Sequence, residues 1–299
     1  LSEKKVLVLH YSQTGQLTNI VESFLSGFTA AEIMVEQVFI QPKNDFPFPW
    51  KSDSFFATMP DSVLLKGCEI VLPEFTSKKY DLVVLAYQPW FLSPSIPATG
   101  ALLHSNVQAV LQNTPVVTII GARNMWLNAQ QKIKHLLKQA NAVLVGNIAL
   151  VDKAPNLISV LTVMRWMFKG KKEATKWLPA SGVSNQDIAQ MKIFGIIVQQ
   201  HLMNRNLLNL QQAIIQNKGV EVDENLMFVE QRAGKLFAIW ANFINKKSNK
   251  TFWSSVFKWY LIIAIFVVAP IVLSVYSLIF KPFLFKSIHK QKDYYLNVN

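Results

Sequence analysis

Short β-branched apolar runs alternate with helical spacings through the first half of the chain. Lys5–His10, Glu32–Phe39, Leu82–Tyr87, Val116–Gly121 and Ala142–Leu150 read as strands. Between them, Gln16–Ser26, Ile96–Gln112 and Leu127–Ala140 carry Leu, Val and Ile at the spacing of one helix face. Helical crossovers of that length join parallel strands in the right-handed sense. The pattern predicts an α/β fold, a doubly wound five-stranded parallel sheet over residues 1–152.

From Val151 the strand signals fade. Leu157–Lys172 is amphipathic, and after the turn LPASGVSNQD come apolar-striped runs at Ile188–Asn217 and Asn225–Asn245. Ser184 and Asp187 have the spacing of a capping box with Asp in place of Glu. Residues 153–255 therefore form a helical appendage. Within it, Leu161, Met164, Trp166, Met167 and Phe168 are followed by Lys169, Lys171 and Lys172. Such a helix suits a lipid headgroup layer, or else packs its apolar face on the domain.

Trp259–Phe280 is free of charge over 22 positions, and a helix of that length rises ~33 Å, enough to cross a hydrocarbon core. Trp259, Tyr260, Phe280 and Phe283 mark its ends, with Lys258, Lys281 and Lys286 as anchors. Residues 256–283 are thus a transmembrane or re-entrant segment and 284–299 a basic tail. Lysines balance across the segment, so the positive-inside rule gives no orientation. Pro270 near the midpoint leaves open a bend that keeps both basic ends on one side.

Composition narrows the partners. The chain is 51% hydrophobic, and its 30 Lys and Arg against 18 Asp and Glu give a formal charge of +12. The basic residues cluster beside apolar segments, which favours an anionic membrane over nucleic acid. The single Cys68 excludes an internal disulfide and any multi-cysteine metal site, and reads as a core residue. No metal site is expected. With no secretory pattern at the start, the N-terminal domain is expected in the cytoplasm, on the cytoplasmic membrane. His10, His104, His135 and His201 lack partners at telling spacing, so no catalytic acid or base is assigned.

The chemistry concentrates in YSQTGQLT, between the first strand and the first helix. A strand-to-helix turn presents unpaired N–H groups and the positive end of a helix dipole, a ready site for phosphate. Ser12, Thr14 and Thr18 add hydroxyls, Gly15 permits close backbone approach, and Gln16 and Leu17 supply further amides. No lysine stands in the loop, unlike the nucleotide P-loop. The stretch VLVLHYSQTGQLT resembles the flavodoxin signature, Ser/Thr-x-Thr-Gly-x-x-Thr. That resemblance implies a flavodoxin-like fold and flavin mononucleotide (FMN); a capped turn without ligand is the alternative.

In such a sheet ligands sit beyond the carboxyl ends of the strands. There the resemblance implies two more flavin loops. Gln88, Pro89, Trp90 and Phe91 match the aromatic second loop of flavodoxin-like quinone reductases, and Gly121, Arg123 and Asn124 match the third, followed by Trp126. Trp90 and Trp126 are read as flavin-stacking rings, or otherwise as core. The stretch QPKNDFPFPWKSDSFFATMP brings Phe46, Phe48, Trp50, Phe55 and Phe56 to the same rim, as a greasy lid or a satellite core.

Taken with KGKKEATKWLPASGVSNQDI and the basic hydrophobic tail, the chain resembles the bacterial dialkylresorcinol-forming proteins, labelled dialkylresorcinol condensing enzymes. That resemblance implies an FMN-dependent aromatase that oxidises a 2,5-dialkylcyclohexane-1,3-dione to a 2,5-dialkylresorcinol in aryl lipid or flexirubin-type pigment formation, beside a partner ketosynthase. Self-association is compatible with it. Two other readings stay open: a membrane-attached NAD(P)H:quinone reductase, and a cofactor-free partner module of a ketosynthase.

Overall fold

The computed structural model describes residues 3–298; the side chain of Phe280, read above as an interfacial aromatic, lies outside the described ones. Strands β1 (Lys4–His10), β2 (Ile33–Phe39), β3 (Leu82–Tyr87), β4 (Pro115–Ala122) and β5 (Val143–Val151) form one parallel sheet in the order β2-β1-β3-β4-β5. This is the flavodoxin-like order, with its reversal between β1 and β3. The central strands are apolar on both faces because helices cover both: Leu82–Tyr87 is buried throughout.

Helix α1 (Gln16–Leu25) follows β1, and the short α2 (Ser52–Ala57) and α3 (Met59–Val63) lie in the rim loop after β2. After β3 the structure has two helices, α4 (Ile96–Leu103) and α5 (Ser105–Leu111), where one was expected over Ile96–Gln112. His104 takes an extended conformation and its Nδ1 accepts from the Asn106 amide at 3.3 Å, so the second helix starts afresh on its own cap. Helix α6 (Leu127–Gln139) joins β4 to β5.

The later helices pack on the sheet domain. Helix α7 (Asn156–Lys169) buries Ser159, Val160, Thr162 and Trp166 and leaves Leu157 and Leu161 exposed. Its tryptophan faces protein. Helix α8 (Asn185–Met203), capped by Ser184 Oγ accepting from the Asp187 amide at 3.0 Å, lies on α1. The contact is a glycine crossing: a Cβ at Gly195 would stand 1.9 Å from the Phe24 carbonyl oxygen. Thus α8 completes that face of the sheet, although it lies beyond residue 152. Two further helices, α9 (Leu210–Gln216) and α10 (Glu224–Asn245), follow.

The apolar segment is one rod, Lys250–Ile279, made of α11 (Lys250–Ile263), a π-turn at Ala264–Val268, α12 (Ala269–Val275) and a second π-turn starting at Tyr276. The first π-turn has a cause. Pro270 lacks an N–H and crowds the preceding turn, so the ladder widens there, and the Ala269 amide bonds the Ala264 carbonyl five residues back. The helix absorbs the proline without ending. Helix α13 (Phe285–Leu296) then returns to the domain, where Gln211 Nε2 donates to the Leu296 carbonyl at 2.6 Å and Tyr294 OH to Gln131 at 2.8 Å.

Candidate functional site

The turn after β1 has the geometry its residues suggest. Gly15 is the N-cap of α1 at φ 81°, a left-handed conformation that disfavours other residues, and open space lies before its Cα. Thr14 and Gly15 are exposed, Ser12, Gln16 and Thr18 half-buried. Ser12 Oγ is buried without a hydrogen-bond partner among the described residues. Leu17 turns its side chain into the core, so only its amide serves the turn.

Two neighbouring segments are fastened to this turn. Gln13 holds the rim loop: its Nε2 donates to the Pro47 carbonyl at 3.1 Å and its Oε1 accepts from Trp50 Nε1 at 3.0 Å. Gln16 holds the strap before α8, with its Oε1 accepting from the Val183 amide and its Nε2 donating to the Val183 carbonyl, both at 3.1 Å. Gly182 makes this approach feasible, because a Cβ there would meet Gln16 Oε1 at 2.7 Å and Trp166 at 2.9 Å.

The second loop splits. Trp90 is buried in a cluster with Tyr11, Phe46 and Trp50, whose ring centroids lie 6.2, 5.1 and 5.6 Å away. Phe91, at φ 48°, points elsewhere: it meets Phe55 at 4.6 Å and Phe257 of the apolar helix at 6.4 Å. Gln88 and Pro89 are half-buried. Trp90 therefore faces the first loop, and Phe91 belongs to the junction with the apolar helix. A ring system that stacks on Trp90 must displace Phe46 or Trp50 of the rim loop.

The third loop departs most from expectation. Gly121 lies inside β4, and a Cβ there would press on Leu17 and Ile20 at 3.3 and 3.4 Å, so its smallness serves α1 packing. Trp126 is 2% exposed in the core rather than on a binding wall. Arg123 is tied down, its guanidinium donating to the Asn156 carbonyl at 3.1 Å and Oδ1 at 2.7 Å. Burial lowers it to about 10 while Asp152 and Glu230 act in the opposite sense. Asn124 Nδ2 donates to the same Asn156 Oδ1 at 2.8 Å, and its own Oδ1 is buried without a partner.

Sequence reasoning missed Glu230. Its side chain reaches from α10 to the start of α6, accepting from the Asn128 amide at 2.8 Å, directly after the third loop. Burial raises it to about 7, against the pull of the α6 amides and Arg123. A lone Glu within an amphipathic helix carries no sequence signal of such burial. His10, at the end of β1, is equally hidden: both ring nitrogens are buried and unpartnered, and burial lowers it to about 4.

Outside the sheet's rim, Trp50, Phe56, Met164, Phe168, Trp259 and Ile262 line a groove of about 610 Å³, with Lys51 and Lys258 at its edge. Trp50 belongs both to this groove and to the Trp90 cluster. Through Trp50 the groove borders both the apolar helix and the aromatic cluster around Trp90.

No family model matches the chain, and no curated protein matches it. Among solved structures it is similar to a flavoprotein in complex with FMN from Lactobacillus acidophilus NCFM, at 18% identity over 49% of this chain and 93% of that one, TM-score 0.39. A flavodoxin from the domain Archaea is 10% identical over 67% of this chain and 99% of its own, TM-score 0.36. A flavone reductase is 10% identical over 67% and 64%, TM-score 0.35.

Proposed function

We propose that the chain binds FMN at the Ser12–Thr18 turn and uses it to oxidise a hydrophobic ring substrate at a membrane, turning a 2,5-dialkylcyclohexane-1,3-dione into a 2,5-dialkylresorcinol. One observation carries the cofactor: Ser12 Oγ lies buried and unpartnered beside the left-handed Gly15, at a helix N-terminus where an anion is favoured. Asn124 Oδ1, a buried acceptor without a donor, fits a ligand N–H on the third loop. When bound, FMN would accept a hydride from the ring as a proton leaves the neighbouring carbon, which accounts for the two hydrogens lost on aromatisation.

The chain's own part is to hold and to exclude. Ser12, Thr14 and the amides of Gly15, Gln16 and Leu17 would hold the phosphate, and Thr18 sits within the same turn. Trp90 offers a ring face, and the lid closed by Gln13 keeps water off it. The groove of about 610 Å³ suits alkyl chains that the reacting ring carries behind it.

The test begins with the absorbance spectrum of the full-length protein in detergent and mass analysis of what it releases on denaturation. Released FMN, lost in the Ser12→Ala/Thr14→Val variant, supports the site. Anaerobic addition of a dialkylcyclohexanedione should then bleach the flavin and yield one resorcinol per flavin. Steady NAD(P)H consumption with quinone and no dione oxidation would replace this reading with a quinone reductase. A colourless protein that takes up no FMN would leave the partner module for a ketosynthase.

A further inference from the structure

The apolar helix rests on the remainder of the fold near both of its ends. Helix α10 and the rod Lys250–Ile279 form an antiparallel hairpin: Phe243 meets Trp253 at 4.8 Å, Trp240 meets Tyr260 at 5.3 Å, and Phe228 stacks on Tyr276 at 3.6 Å. Just beyond, Lys281 pairs with Glu224 at 3.0 Å and Lys292 with the same carboxylate at 3.6 Å. Near the start, Phe257 is fully buried against Phe56, Phe91 and Phe237. Both ends of the rod therefore rest on one side of one body.

Helix α10 cannot follow its partner into a bilayer. It carries Glu224, Glu230, Arg232 and Lys235, and its Gly234 lets it press against Asn128 of α6. Spanning would immerse those charges, at a cost of roughly 2.5–3.5 kcal/mol for an Arg, Lys or Asp at the membrane centre.

The opposite face is an exposed apolar row. Trp259, Ile263, Val267, Ile271, Val275 and Ile279 follow one another at every fourth position and are all exposed, with Leu278 at 80% and Phe283 at 86%. In an α-helix a row of that spacing drifts by about 40° per step. A π-turn holds more residues, so the two π-turns swing the row back and keep it toward one side. Lysines stand at both ends, with Lys246, Lys250, Lys286 and Lys290 exposed.

We propose that Lys250–Ile279 is an in-plane membrane foot: it lies lengthwise in a single leaflet, with its exposed row among acyl chains and its terminal lysines among anionic headgroups. The occupant of the row is lipid, because the row is free of charge, continues into exposed Phe283 and Phe285, and is bounded at both ends by cations. The groove lined by Trp259 and Ile262 opens beside this row, so it faces the leaflet from the side. The foot rests on helix packing and not on the flavin reading.

Depth measurement tests it. Single cysteines at Ile263, Val267, Ile271, Val275 and Ile279, in a Cys68→Ser background, carry nitroxide labels in vesicles of phosphatidylcholine and phosphatidylglycerol, and oxygen against nickel-chelate accessibility reads their depths. An in-plane foot gives one depth for all five. A spanning helix puts position 271 deepest, ~12 Å below 263 and 279, and overturns the topology while leaving membrane attachment intact. Labels screened from lipid in a protein that sediments as a dimer overturn it in favour of a second copy on the row. As a check independent of the row, Ser105→Cys and Ser287→Cys, both exposed, should react with an impermeant maleimide from the same side of sealed vesicles; reaction from opposite sides also overturns the proposal.

Discussion

At the scale of single residues, Gln13 joins the first loop to the lid through Trp50 and Pro47. Two such bonds contribute about 1 kcal/mol each, so Gln13→Ala should raise both association and dissociation rates of FMN by roughly tenfold or more, read by stopped-flow flavin fluorescence. Unchanged rates would mean the lid does not gate the site. His10 and Glu230 pull stability in opposite directions with pH. The unfolded chain takes up a proton on His10 below 6.5 that the folded chain refuses until about 4, so stability falls as pH drops through that window. The folded chain keeps a proton on Glu230 up to about 7 that the unfolded chain releases from about 4.5, so stability falls as pH rises there. Between about 4.5 and 6.5 the two slopes, each about 1.4 kcal/mol per pH unit, largely cancel. Urea denaturation should show His10→Leu losing stability with rising pH in this range and Glu230→Gln gaining it. Parallel slopes in the two variants would disprove the pairing.

At the scale of elements, what was legible followed periodicity. The strands alternate with helices whose apolar faces repeat at helical spacing, so their order and the turn after β1 could be read directly. The break at His104 was not legible, because a cap inside an apolar run leaves the spacing intact. Nor was the place of α8, which depends on Gly27 and Gly195 meeting across 168 positions of chain. The packing role of Gly121 was hidden for the same reason: its neighbours Leu17 and Ile20 are distant in sequence, and only the fold shows that its missing side chain makes room for a helix. The strand-to-helix turn was readable since all its parts lie within seven residues, Ser12 to Thr18. Glu230 was not, since α10 and the start of α6 meet only in three dimensions. The glycine crossing predicts that Gly195→Ala, forced 1.9 Å from the Phe24 carbonyl, separates α8 from α1 and costs about 3 kcal/mol. A melting temperature equal to the parent's would show that the crossing tolerates a methyl group.

At the scale of the whole molecule, the charge balance and the hairpin explain one another. The lysines flanking the apolar segment give no orientation because, in an in-plane helix, both ends face the same headgroups. Several are already neutralised: Lys258 pairs with Asp53 at 3.1 Å, and Lys281 and Lys292 share Glu224. The exposed cations are then Lys246 and Lys250 at one end and Lys286 and Lys290 at the other. A cation near an anionic surface contributes about 1 kcal/mol, so Lys246→Gln/Lys250→Gln should weaken binding to phosphatidylglycerol vesicles by roughly 30-fold. Lys286→Gln/Lys290→Gln should weaken it equally. Both effects should shrink as salt brings the Debye length to ~10 Å or below. When protein is added from outside, a helix that inserts across the bilayer presents only one of its ends to the outer headgroups. Loss confined to one pair, measured by vesicle flotation at low salt, would therefore contradict a foot lying flat in a single leaflet.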